Sequence, residues 1–172
     1  MAEAVVRPSA AGLSPAAVAR LIALFLPLAL LGGALGSQYL GGLHPCEMCY
    51  WQRWPHGAAI VLAALAFTGP ASSTRSRALT LLAALAIAVS GAIGVYHAGV
   101  EAKIFEGFTT CTAVGKGLST ADLLKQISQA PLVRCDEVQF RFLGISMAGW
   151  NAILSLGGAA LILILSLRSR RA

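Results

Sequence analysis

Cys46 and Cys49, three residues apart and followed four residues later by Arg53, are the part of this chain best suited to chemistry. They lie in the stretch His44-Pro45-Cys46-Glu47-Met48-Cys49-Tyr50-Trp51-Gln52-Arg53. A Cys-x-x-Cys pair closes a small, reducible disulfide that can take up or release two electrons. Proline suits the first turn of a helix, where its missing N–H is no loss, so a helix starting near Pro45 is predicted. In that turn the i, i+3 spacing puts both sulfurs on one face, and the helix terminus favours a thiolate. Glu47, between them, pushes the other way. Arg53 falls on the sulfur-bearing face. It could simply snorkel to a membrane surface, or stand as a fixed positive charge beside a thiolate and an electron acceptor such as a quinone.

The remaining cysteines, Cys111 and Cys135, have 23 residues between them and several glycines around the first. As a plain staple they would add about 3 kcal/mol by loop closure. As a second redox pair they could meet a soluble partner and then pass electrons to Cys46 and Cys49, and beside a Cys-x-x-Cys this relay is the better reading. Structural zinc sites often use two Cys-x-x-Cys knuckles, and only one pair here has that spacing, so no metal is expected. Tyr50 follows Cys49, which excludes the Cys-x-x-Cys-His signature of covalent haem attachment. His56 and His97 lie near the outer ends of neighbouring predicted helices. They could clamp a b-type haem, sit as interfacial histidines or, for His97, donate to a quinone oxygen.

The elements that must position these residues are membrane helices. The chain has 172 residues, 57% of them apolar and only 12% charged, against about 25% charged in soluble domains. Mean hydropathy is +0.74. The net charge of +6 flanks apolar segments rather than forming a basic face, which argues against nucleic acid. Four runs approach the roughly 20 residues needed to cross a bilayer, at about 18–38, 50–67, 78–97 and 145–167. The expected fold is an all-α membrane protein, a four-transmembrane-helix bundle in one domain over 1–172, with a long loop at about 98–144 between helices 3 and 4. The first run could be read as a signal peptide, but its apolar stretch outlasts a usual signal core, so a retained helix is favoured. Gly91 and Gly94 predict close helix contact, and Tyr96-His97-Ala98-Gly99 predicts the end of helix 3. Ser119 and Asp122 resemble a capping box for a short surface helix.

Orientation follows from the basic residues. Arg7, Arg20, Arg75, Arg77, Arg168, Arg170 and Arg171 face only Glu3 on one set of connections, a net +6. The other set carries six basic and six acidic residues, a net of zero. Both termini are therefore expected in the cytoplasm. All four cysteines are expected outside, which in a bacterium is the oxidising side.

Taken together, these residues resemble the disulfide-bond formation protein B (DsbB) family, bacterial inner-membrane thiol oxidases. The resemblance covers most of the chain. It rests on Pro45-Cys46-x-x-Cys49-x-x-x-Arg53 at the start of helix 2, the downstream pair Cys111 and Cys135, and Phe142-Leu143-Gly144 with Met147 and Trp150 at the entry to helix 4. Vitamin K epoxide reductase relatives place the loop pair first, the reverse of the order here. What the resemblance implies is a relay. A reduced periplasmic thioredoxin-fold oxidase of DsbA type attacks Cys111, Cys135 exchanges with Cys46, and Cys49 passes electrons to ubiquinone or menaquinone. Arg53 stabilises the charged intermediate, and His97 falls near a family histidine linked to the quinone site. Gln52 and Phe140 depart from the family, which has an acidic residue and a tryptophan there in some members. The alternatives from the residues alone are a haem-binding quinone cytochrome using His56 and His97, and a non-catalytic membrane protein stapled by two disulfides.

Overall fold

The computed structural model describes residues 13–107, 119, 121 and 133–169. Four long helices run through them: α1 (Pro15–Tyr39), α2 (Glu47–Ala66), α3 (Thr74–Glu101) and α4 (Met147–Arg168). Each opens on a side-chain cap. Ser14, Cys46, Ser73 and Ser146 accept from the backbone N–H three residues on, which satisfies a donor that the helix leaves unpaired. α3 lies against both α2 and α4, and α1 packs on the same two helices.

The packing is that of a membrane bundle. Small residues fill the centre, with Ala19, Ala23, Ala59, Ala63, Ala83 and Ala159 around Ile87 and Ile162. Large apolar side chains such as Phe25, Val61, Leu85, Val89, Leu161 and Ile164 point outward. Lipid removes the hydrophobic drive between helices, so close backbone approach takes over. Gly91 and Gly94 provide it, as the sequence suggested. A Cβ on Gly94 would lie 3.0 Å from the Ala148 carbonyl, and one on Gly91 would meet Leu156 at 2.8 Å.

α1, α3 and α4 are each long and apolar enough to cross a membrane. α2 carries Gln52, Arg53 and His56 in its first half, which leaves a short apolar run from Gly57 to Ala66.

Two local expectations change. α3 does not stop at Gly99 but runs on to Glu101. Gly99 is instead the seat of Phe105, whose ring a Cβ there would meet at 2.3 Å. Phe105 stacks on Tyr96 with centroids 5.6 Å apart. The reversal comes at Lys103, with φ 60°, and the Ile104 N–H returns to the Gly99 carbonyl at 2.8 Å. The all-α expectation also gains a small exception, because β1 (Arg141–Phe142) and β2 (Ile145–Ser146) pair as an antiparallel hairpin before α4. Leu143 and Gly144, at φ 51° and 81°, form the two-residue turn with positive φ at both positions that suits strand twist. Trp150 of α4 donates to the Phe142 carbonyl at 2.9 Å and fixes the hairpin to the helix. About half of the 98–144 connection, including Cys111 and most of the surface helix expected from Ser119, lies outside the described residues.

Candidate functional site

α2 begins at Glu47, two residues past Pro45, and Cys46 is its cap rather than a first-turn residue. The Cys46 Sγ accepts from the Cys49 N–H at 3.4 Å and lies 3.0 Å from the Cys49 Sγ. The spacing thus brings both sulfurs together, as the helical reading required. Cys46 is buried, and Cys49 is partly exposed.

Cys135 comes to this pair from the far side of the chain. It is fully buried and packs in one cluster with Cys46, Met48 and Val100. Its thiol beside Cys46, then the neighbouring Cys49, then burial, hold the Cys46 thiol well above the usual cysteine range. A charged clamp holds the segment in place. Lys103, just past α3, donates to both the backbone carbonyl and the carboxylate of Asp136, and Arg134 donates to that carboxylate at 2.8 and 2.9 Å. These two cations, Arg134 first, hold the Asp136 carboxyl well below the ordinary carboxylate range. Gln139 adds a bond to the His44 carbonyl at 2.6 Å, so the stretch following Cys135 is tied down at two points. Three of the four predicted cysteines therefore meet.

Arg53 turns toward α1. It donates to Gln38 Oε1 at 2.5 Å and to the Ala34 carbonyl at 3.1 Å, with its guanidinium 5.2 Å from the Tyr50 ring centre. It borders a cavity of about 320 Å³ between α1, α2 and α4. Ala29, Leu30 and Leu31 give it apolar walls, and Cys49, Arg53, His97 and Asn151 face it with polar groups. Small-molecule sites of about 300–1,000 Å³ share this mix of apolar lining and few polar anchors.

The histidines stand in a network that the spacing of the sequence did not announce. His97 places Nε2 3.6 Å from the Cys46 Sγ and 3.9 Å from Glu101 Oε1, and its Nδ1 2.8 Å from Gln52 Nε2. Gln52 also donates to the Met48 carbonyl at 3.1 Å and accepts from Asn151 Nδ2 at 2.8 Å. Asn151 donates to the Ser90 carbonyl at 3.2 Å and accepts from His56 Nε2 at 2.9 Å and Ser155 at 3.0 Å. His97 thus has neighbours at both ring nitrogens, and His56 spends Nε2 on Asn151 and Ser90. The other ring nitrogen of His56, Nδ1, is buried with no hydrogen-bond partner among the described residues. Cys46, Cys49 and His97 bring their donor atoms within 4.8 Å of one another, close enough to consider a metal ion.

Gln52, Asn151, Ser90 and Glu101 were missed as site residues. Asn151 carried a signal nonetheless, as an amide inside an apolar helix, where polar side chains are costly unless they have work to do.

A thiol pair at a helix start, a third thiol clamped against it and a cavity behind it have counterparts in known proteins. The family model for the disulfide bond formation protein DsbB matches residues 16–165. The chain is 37% identical over 145 residues to the disulfide bond formation protein B of Methylococcus capsulatus, covering 79% of this chain and 85% of that one. It is 31% identical over 159 residues to the disulfide bond formation protein B 1 of Pseudomonas fluorescens, covering 84% and 86%. A Xanthomonas oryzae disulfide bond formation protein B is 28% identical over 146 residues, covering 83% and 85%. No solved structure matches the chain. The family match takes in all four helices, Cys46, Cys49 and Cys135, and the chain accordingly belongs to the DsbB family, as a helical membrane oxidoreductase of disulfide-bond formation.

Proposed function

We propose that this protein reoxidises a periplasmic thioredoxin-fold dithiol oxidase of DsbA type and passes the electrons through Cys111–Cys135 and Cys46–Cys49 to a membrane quinone, ubiquinone or menaquinone. One observation carries the reading. Of the two helix-2 cysteines, Cys46 is buried against Cys135, and Cys49 is the partly exposed one on the cavity that Arg53 borders. Electrons would enter through one sulfur and leave through the other.

The steps balance as thiol–disulfide exchange. The partner's thiolate attacks Cys111 of the Cys111–Cys135 disulfide and releases Cys135 as a thiolate. Cys135 attacks Cys46, the Cys46–Cys49 bond breaks, and Cys49 leaves as a thiolate. The partner's second thiol displaces Cys111, so the partner departs oxidised. Cys111 then attacks Cys135 and frees Cys46 as a thiolate. Re-forming the Cys46–Cys49 disulfide releases two electrons.

A quinone supplies the sink for those electrons and takes up two protons. The apolar walls and the few polar groups of the cavity fit such a molecule, with Cys49 and Arg53 as the residues that would hold it and His97 bordering the wall. Arg53 keeps a positive charge beside the place where negative charge develops, and its bonds to Gln38 and the Ala34 carbonyl hold it without further reorganisation.

The same reading makes α2 a fourth span, shortened because its first half lines the site. It places both termini in the cytoplasm, the cysteines in the periplasm, and the protein in the bacterial inner membrane. The test is anaerobic quinone reduction by a reduced thioredoxin-fold dithiol, followed optically with purified protein. Reduction that needs all four cysteines supports the proposal, and normal turnover in Cys111→Ser or Cys49→Ser refutes it.

A further inference from the structure

We infer that Gln52 and Asn151 lock His97 into the tautomer that carries its proton on Nε2, aimed at the Cys46 sulfur, so that His97 stabilises Cys46 whenever it leaves as a thiolate. The argument starts from two groups that can only accept, the backbone carbonyls of Ser90 and Met48.

Asn151 has one side-chain atom 3.2 Å from the Ser90 carbonyl. Only its NH₂ can face that oxygen, so its Oδ1 faces His56 Nε2 and the Ser155 hydroxyl, both able to donate. The Asn151 NH₂ then also faces Gln52 at 2.8 Å, which requires Gln52 to present its oxygen there. The other end of the Gln52 amide is its NH₂, and that assignment is made a second time by the Met48 carbonyl at 3.1 Å. This NH₂ lies 2.8 Å from His97 Nδ1. A donor facing Nδ1 leaves that nitrogen as the acceptor, and in a neutral imidazole the proton must sit on Nε2.

The surroundings of Nε2 agree. Cys46 Sγ at 3.6 Å and Glu101 Oε1 at 3.9 Å are both able to accept, and the ring also meets the backbone of Cys135. Two fixed carbonyls at different points of the chain assign the amide orientations consistently.

The consequence is specific to one sulfur. When a thiol attacks the accessible Cys49 of the Cys46–Cys49 disulfide, a bond forms to Cys49, the Cys46–Cys49 bond breaks, and Cys46 departs carrying the negative charge. Its N–H neighbour lowers the cost of that departure. Gln52 and Asn151 act through His97 and are positioning residues. A metal ion on Cys46, Cys49 and His97 would need the Nε2 lone pair, and so would have to reverse the whole chain of amides. The tautomer stands without the proposed quinone reaction, whereas its role in turnover rests on that reading.

The test uses the full chain in detergent micelles, without quinone or protein partner. In ¹⁵N-histidine-labelled protein, His97 is expected to show a protonated Nε2 and a bare Nδ1, and the reverse pattern overturns the inference. Asn151→Asp replaces the NH₂ by a charged oxygen, which should outcompete the neutral Met48 carbonyl for the Gln52 NH₂, so Gln52 should turn over, present its oxygen to Nδ1 and move the proton there. In a Cys111→Ser/Cys135→Ser background, reduction of the remaining disulfide by dithiothreitol should then slow about tenfold, the scale of one lost bond to a charged group. An unmoved proton in Asn151→Asp, or a moved proton with an unchanged rate, overturns it. Should that variant not fold, His97→Gln, which can still offer an N–H near the Nε2 position, should keep the rate within about threefold, and His97→Phe should lose it tenfold. Equal rates in these two overturn the inference. A protein that passes every arm yet reduces no quinone keeps this inference and loses the proposed function.

Discussion

At one end of the bundle Arg20 reaches from α1 to the end of α2, donating to the Ala66 and Gly69 carbonyls at 3.1 and 2.8 Å with its guanidinium 4.2 Å from the Phe67 ring centre. At the other end Arg53 reaches from α2 back to α1, donating to Gln38 and the Ala34 carbonyl with its guanidinium near the Tyr50 ring. The two arginines make nearly the same interactions with carbonyls and an aromatic ring. Their surroundings differ. Arg20 closes a helix end near the Ser76 hydroxyl, which also bonds the Ala66 carbonyl. Arg53 borders a cavity that it shares with a thiol, an imidazole and an amide. A half-buried guanidinium is thus a strut or a site residue according to what else faces the same space, and residue type alone does not separate the two.

The contrast can be broken by substitution, and the largest effect belongs to the cysteine end. Cys49→Ser should bring quinone reduction by a reduced dithiol to background, because no other sulfur of the pair opens as fully on the cavity; residual steady turnover would erase the distinction between the ends. Arg53→Ala should raise the quinone KM or lower kcat by about tenfold or more, in line with one charge-assisted interaction, and by more than its stability falls. Steady-state kinetics with a quinone series, paired with thermal melts, would separate those outcomes.

Next is the clamp on Cys135. Asp136→Asn should slow electron entry about fivefold, equivalent to about 1 kcal/mol of lost tethering, while leaving dithiothreitol reduction of Cys46–Cys49 unaffected. Stopped-flow exchange with the reduced partner measures the first rate. The depressed Asp136 pKa sets the pH dependence. A carboxylate held below its ordinary value contributes fully above about pH 4, and loses that contribution only as pH falls toward its folded-state value. Entry through Cys135 should therefore show no loss from this clamp between about pH 5 and 8. Smallest in activity is Arg20→Ala, which should leave turnover within about twofold and still cost about 1–3 kcal/mol of stability, since the Ala66 and Gly69 carbonyls lose a charged donor. A large activity loss there would show that the two ends are coupled.

Much of the frame was readable from the chain. Long apolar runs gave all four helices to within a few residues, and the paired glycines announced a close helix contact, which the structure makes with α4. The i, i+3 spacing placed Cys46 beside Cys49. What escaped was set by contacts distant in sequence. Gly99 reads as a helix stop by local rules, but its bare Cα is used by the Phe105 ring, which only the returning chain brings there. Leu143-Gly144 marked the entry to α4, yet nothing in an apolar segment announced a two-residue ladder. Gln52 registered only as a departure from an acidic residue. Its partners His97 and Asn151 lie 45 and 99 residues away, and no periodicity joins them. The approach of Cys135 to Cys46 likewise depends on Lys103 and Asp136 finding each other across 33 residues.

Cys46 is at once a redox atom and the cap of α2, its sulfur accepting the Cys49 N–H at 3.4 Å. Every change in what that sulfur is bonded to alters the acceptor that the amide sees. The Cys49 amide resonance is therefore a built-in indicator. Its chemical shift and exchange with solvent should distinguish a thiol, a thiolate and each disulfide partner of Cys46, so the passage of electrons could be followed on the backbone without a label attached to either cysteine.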